Sequence, residues 1–508
     1  MNTEKRIFSG VFVGFIGFAL GFIQSILLVP ILLSFWGTET YGIWLVLNAG
    51  YIILQTLDSG QQAYIGNELN IKFFSDKEDL RVVLASSLRM AFLIGIFQLL
   101  IIVILIITNT THLFLGLDAI VVTKEYLTIC LLLLIIAWTS SGTYRSILSK
   151  LMIPYGYYSK IVWWSIYNKI GTFIVLVLIA FNNGSILDAT IGISLFTIVF
   201  NFLLLLRIKT LIPDVYPWWH LGSWKIGWVN LRKSSLISFS DILQQLSNNG
   251  LILLITNLFG AIIVPIFTTI RTLTNSAVSI TNIIIQPLQP EIVRFHVQKD
   301  FKKIMSTFNI NWLISGFLIN IGILIVIPFI TEIYHFWTRG KLEFNLPLFL
   351  LLAIDVSLFN FGSVLVYYLH SINRITQQFR ITILKLILII SISILFSKFL
   401  GLISVGIGIA VAELIAYIIL PYWFIKREFN LHGLNFASLS IFLNILPIFT
   451  LSFISFLIIL FPTYILYFSL SGILILSSIY FISWKNIPIE LKRKIISLLE
   501  VKNILRKV

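Results

Sequence analysis

Residues 7–36 read IFSGVFVGFIGFALGFIQSILLVPILLSFW, a run without one ionisable side chain. A helix of about 20 apolar residues crosses the hydrocarbon core of a bilayer, so this run can span with turns to spare. Lys5 and Arg6 ahead of it imitate a secretory signal. An h-region, however, is only about 7–15 residues long, and no small-residue cleavage site follows here. The run reads as a first membrane span.

The rest of the chain extends that reading. Of 508 residues, 58% are hydrophobic and 11% charged, with a mean hydropathy of +0.98. Soluble domains carry about 25% charged residues, so too little polar surface exists here to face water. The net charge of +15 is spread through short loops instead of forming a basic face, which argues against nucleic acid as a partner. Cys130 lies inside the apolar run Leu127–Ala137, where a lone thiol is a small hydrophobe. The predicted fold class is an all-α polytopic membrane protein of about 14 transmembrane helices. The spans fall near 7–34, 41–63, 82–108, 123–148, 160–181, 186–207, 234–258, 261–288, 304–329, 346–369, 381–400, 402–425, 438–461 and 463–484.

Loop charge supports the count. With the N-terminus inside, alternate loops place roughly 28 of the 36 Lys and Arg residues inside and 4 outside, with 4 embedded in helices. Losing one span would scramble that alternation downstream. The expected location is the bacterial inner membrane, multi-pass, with both termini cytoplasmic. The embedded cations are Arg89, Lys169, Arg271 and Lys385. Lys169, Lys385 and Arg145 are expected to snorkel to the cytoplasmic face.

Two basic stretches punctuate the chain. The segment 207–233 gathers Pro213, Pro217, Trp218, Trp219, Trp224 and Trp228, a composition suited to the headgroup region. It divides an N-terminal lobe, 1–206, from a C-terminal lobe, 234–425, which two further spans at 438–484 follow. In the tail 485–508, Leu491, Ile495, Leu498 and Leu505 recur at helical spacing among Lys492, Arg493, Lys494 and Lys502, predicting a basic amphipathic helix resting on anionic lipid. The halves also echo each other. Phe35-Trp36-Gly37 closes span one as Phe259-Gly260 closes span seven, and aligning Gly37 on Gly260 needs no gap through either following helix. Such a parallel repeat is one way transporters build a central site.

From Pro30 to Gly60 the residues become specific: PILLSFWGTETYGIWLVLNAGYIILQTLDSG. This block resembles the first conserved block of the polysaccharide-export flippases, the Wzx-type O-antigen flippases, within the multidrug/oligosaccharidyl-lipid/polysaccharide exporter (MOP) superfamily. Pro30, Gly37, Tyr41, Gly42, Trp44, Asp58 and Gly60 carry the resemblance. Asp-Ser-Gly at 58–60 departs from the more usual Asp-Leu-Gly or Asp-Phe-Gly. The resemblance implies two six-helix lobes related by a pseudo-two-fold around a central cavity, two added C-terminal helices, and alternating access. It implies as cargo an undecaprenyl-diphosphate-linked oligosaccharide for O-antigen or a similar polysaccharide. Membrane lipids, a polysaccharide polymerase and a chain-length regulator are the other partners it implies.

Charges at membrane depth are costly and mark pathways. Arg271 lies about ten residues into span eight, roughly 15 Å from the outer face, and Asp355 and Glu413 come out at similar depth. A guanidinium there suits the oxygens of a diphosphate. Arg271, Asn48 (its counterpart across the repeat) and Arg89 are the candidate substrate-binding residues. Asp355, Glu413 and Asp58 are the candidates for coupling to a proton or sodium gradient. A salt bridge from Arg271 to Asp355 or Glu413 that merely holds helices together is the competing reading, and a structural pair or helix-end role is favoured for Asp58 and Arg89.

No catalytic residue, cofactor or metal site is expected. The chain has no GxxxxGK[ST] phosphate loop, and its six His are scattered. A multidrug or organic-cation exporter of the same superfamily is the alternative. A membrane glycan polymerase comes third, because the outward loops are short.

Overall fold

The computed structural model describes residues 3–75, 77–117, 124–285, 289–372, 374–431 and 438–485, and every described element is helical. The predicted amphipathic tail after Lys485 lies outside the described residues. Among the described residues, 11 helices are long and apolar enough to cross a membrane. The first of these, Ile16–Phe74, runs two predicted spans together. The predicted spans seven and eight are present as helices, Trp224–Gln245 continuing to Phe259, and Ile263–Ile285. Their polar residues keep them below a purely hydropathic threshold. The chain is a multi-pass membrane protein, and about fourteen crossings describe it.

The helix Thr3–Gln55 is broken at Gly37, where φ is 73° and ψ −179°. Gly260 ends Leu251–Phe259 in the same conformation, with φ 84° and ψ 163°. That region is essentially closed to residues with a Cβ. Gly401, with φ 54°, turns the chain between Ile375–Leu400 and Ile403–Ala412. Elsewhere polar side chains start helices. Ser185 and Asp188 cap Ile186–Leu211 reciprocally, and the Asn345 amide oxygen accepts from Leu348 N at 3.0 Å with Pro347 beside it.

The residues divide into two compact units. The first holds 1–272 with 335–343 and 397–402, and the second holds 273–334, 344–396 and 403–508. In the first unit, Ile65, Leu84, Ile147, Leu151, Leu204 and Trp218 share one apolar core. In the second, Phe308, Trp312, Phe361, Tyr368, Ile425 and Phe429 do so, with Trp312 stacked on Phe361 at 4.4 Å between centroids. Lipid offers no hydrophobic drive for helix association, so close approach at small residues matters more. A methyl on Gly60 would run into the Ser238 backbone, and one on Gly42 into the Ala261 carbonyl. Gly42 also faces Pro265. The repeat alignment pairs those two positions, so equivalent residues of the two repeats meet each other in the first unit.

The segment 335–343 belongs to the first unit and grips its first helix. The Trp337 indole donates to the Ile26 carbonyl at 2.7 Å, and Lys341 Nζ to the Leu33 carbonyl at 2.9 Å. The Pro- and Trp-rich segment after Leu211 is docked as well as exposed. Trp218 and Val215 are buried, Tyr155 donates to the Asp214 carboxylate at 2.7 Å, and Ser223 N donates to Ser86 Oγ at 2.8 Å. Trp219, Trp224 and Trp228 stay exposed.

Candidate functional site

Arg271 is half-buried on Ile263–Ile285, and its guanidinium forks onto one residue. Nη1 donates to the Asn248 carbonyl and Nη2 to Asn248 Oδ1, both at 3.0 Å. Asn248 sits in the π-turn Leu246–Gly250, where an extra residue widens the helix and turns its polar groups outward. The Phe267 ring centroid lies 5.8 Å from the guanidinium carbon. The guanidinium is thereby held in one orientation, with little rotamer freedom left.

Glu413 opens a second π-turn, Glu413–Ile419, in the second unit. Its carboxylate pairs with Lys385 Nζ at 2.5 Å, with the two side chains 1% and 21% exposed. The Lys385 ammonium also lies 4.8 Å from the Tyr417 ring centroid. Lys385 is therefore turned onto an acid and not stretched toward the headgroups, which corrects the expectation that it snorkels; withdrawing the cation would leave a buried carboxylate uncompensated.

Asp58 is buried in the short turn Thr56–Asp58 between the first two helices. Its Oδ2 accepts from Thr143 Oγ1 at 2.7 Å and from Trp138 Nε1 at 3.2 Å. Trp138 opens a third π-turn, Trp138–Gly142. Arg145, one turn on, is half-buried, with its Nε buried. Tyr51 is within electrostatic range of both Asp58 and Arg145.

The other candidates lie on other elements. Arg89 lies with its guanidinium carbon 5.6 Å from the Trp224 ring centroid and against Gly222, on the segment that follows Leu211. Asn48 is half-buried in the first unit and Asp355 half-buried in the second, on Leu346–Ser371. Around three of the candidates the structure sets further partners: Asn248 beneath Arg271, Lys385 beside Glu413, and Thr143 and Trp138 around Asp58. Asn248 and Asp241 escaped the sequence reading, though the run SFSDILQQLSNNG at 238–250 is conspicuously polar for a membrane span. Each π-turn carries or touches one of these intramembrane polar groups, as such turns commonly do at functional sites.

No family model matches the chain, and no curated protein sequence does. Solved structures do. An inward-facing MATE-family multidrug resistance transporter of the MOP superfamily matches with a TM-score of 0.60 at 16% identity, over 80% of this chain and 94% of that one. The fold is that of the MOP-superfamily transporters. The multidrug transporter DinF-BH, solved with R6G, matches with a TM-score of 0.60 at 14% identity, over 85% and 97%. The lipid II flippase MurJ, in an inward closed conformation, matches with a TM-score of 0.54 at 15% identity, over 96% of this chain and 99% of that one. The MurJ match leaves too few residues over to omit the C-terminal pair Ser438–Leu460 and Ile465–Lys485. The MATE matches leave enough over to omit it.

Proposed function

We propose that this protein is a flippase that moves an undecaprenyl-diphosphate-linked oligosaccharide, an O-antigen or similar repeat unit, across the bacterial inner membrane by alternating access. Both termini lie in the cytoplasm in this reading, and the lobes divide at 207–233. The observation that carries it is the near-complete match in length with a lipid II flippase, C-terminal helices included. Arg271 supports it, because a fixed, forked guanidinium at membrane depth suits a diphosphate better than a cationic drug. Glu413 with Lys385 is the candidate coupling pair for a proton or sodium gradient, and Asp355 the second candidate acid. Proteoliposomes loaded with a fluorescent undecaprenyl-diphosphate oligosaccharide test the reading. The glycan is expected to become accessible to an external lectin only when the protein is present, and an unchanged inner pool rejects it.

The MATE matches favour a second reading, extrusion of multidrug or organic-cation substrates. Expression in a drug-sensitive bacterial strain separates the two, since a flippase leaves resistance unchanged. Either reading is transport without covalent chemistry.

A further inference from the structure

The helix Trp224–Gln245 and the π-turn after it carry polar side chains along one face. Ser238, Asp241, Gln245 and Asn248 follow one another at helical spacing, with Gln244 and Asn249 on either flank. Leu236 and Phe239, on the opposite side, are exposed, as lipid-facing residues should be. The polar face is only partly covered by protein: Ser238, Asp241, Gln245, Asn248 and Asn249 are half-buried and Gln244 is exposed. Amide and carboxylate groups facing hydrocarbon would lose their water without replacement, a cost no single helix can carry five or six times over. That face therefore borders a polar space.

Its groups are oriented. Ser59 Oγ donates to Asp241 Oδ2 at 2.8 Å, Asn249 Nδ2 donates to Gln245 Oε1 at 2.6 Å, and Asn248 holds Arg271. Carboxamides present a donor and an acceptor together, which matches sugar hydroxyls that both give and accept hydrogen bonds. The stripe also ends at the guanidinium, so a neutral chain of hydroxyls attached to a phosphate would meet amides and then the cation in that order.

We infer that this stripe, centred on Gln244, Gln245 and Asn249, binds the saccharide part of the cargo while Arg271 takes the phosphate. The inference rests on the flippase reading. Its test is equilibrium binding by the full-length protein in nanodiscs of two labelled lipids, undecaprenyl diphosphate carrying a neutral tetrasaccharide and bare undecaprenyl diphosphate. Wild-type protein prefers the glycosylated lipid about tenfold, the worth of two or so neutral hydrogen bonds. A Gln244→Leu/Gln245→Leu double variant, whose side chains suit a membrane helix, loses that preference and binds the bare lipid within about twofold of wild type. Retained binding of the bare lipid shows that the variant is folded. Equal wild-type binding of both lipids, full preference in the variant, or parallel loss of both lipids in the variant overturns the saccharide stripe alone. Wild-type protein that binds neither lipid overturns the flippase reading and the stripe with it.

Discussion

Gly37 and Gly260 share one backbone conformation, φ 73° with ψ −179° and φ 84° with ψ 163°. They are the two positions that the repeat alignment superposes, and at neither would a Cβ meet anything within 4 Å. The glycine is therefore required by the backbone alone, and each repeat uses it to break a long helix into an outgoing and a returning arm.

Replacing either glycine by alanine is expected to cost about 1–3 kcal/mol of stability, from φ/ψ strain with no steric clash. Gly37→Ala and Gly260→Ala should lower the unfolding temperature in detergent by similar amounts. A difference of several-fold between them would mean that the two breaks are not equivalent.

Pro30 lacks an N–H, so the Ile26 carbonyl four residues earlier loses its helical donor. Trp337 Nε1 supplies one at 2.7 Å. Trp337→Phe should cost about 1 kcal/mol in the wild-type background. In a Pro30→Ala background, where the helix can satisfy Ile26 itself, the same change should cost much less. A double-mutant cycle by thermal unfolding measures this, and purely additive losses would dissociate the indole from the proline.

Lys385 and Glu413 form an ion pair in which the acid is almost wholly buried. Lys385→Met leaves that acid without its cation, and breaking such a pair costs about 3–5 kcal/mol. Lys385→Met/Glu413→Gln should recover most of that stability. If the pair couples transport to an ion gradient, the recovered protein flips its cargo without responding to an uncoupler. A double variant that still needs the gradient shifts attention to Asp355.

Arg271→Ala should abolish export while leaving the protein at its normal level in the membrane, if the guanidinium held by Asn248 serves the cargo and not the packing. Arg271→Lys should rescue poorly, since an ammonium cannot fork onto the carbonyl and the amide together. Normal surface polysaccharide from the alanine variant, scored on a gel of extracted glycans, removes Arg271 from the substrate path.

Much of this was legible in the chain. The apolar runs and the glycine-ended first arm of each repeat are local properties, and a bilayer leaves the backbone little choice but helix. Four residues of the block 30–60 make contacts with other helices: Pro30 frees the carbonyl that Trp337 fills, Gly42 and Gly60 admit neighbouring backbones, and Asp58 ties the first turn to Thr143 and Trp138. Spacing along one helix could say none of that, because each partner lies on a different helix.

The sequence by itself determined the class, a many-crossing helical membrane protein, because insertion free energy sums over about 20 consecutive residues and is read without knowing any neighbour. Only the tertiary structure decided which charges meet. Lys385 and Glu413 lie 28 positions apart and Asn248 and Arg271 lie 23 apart, and such pairings depend on side-chain direction across packed helices. Rotating one helix by a single residue, about 100°, would part them without altering its hydropathy.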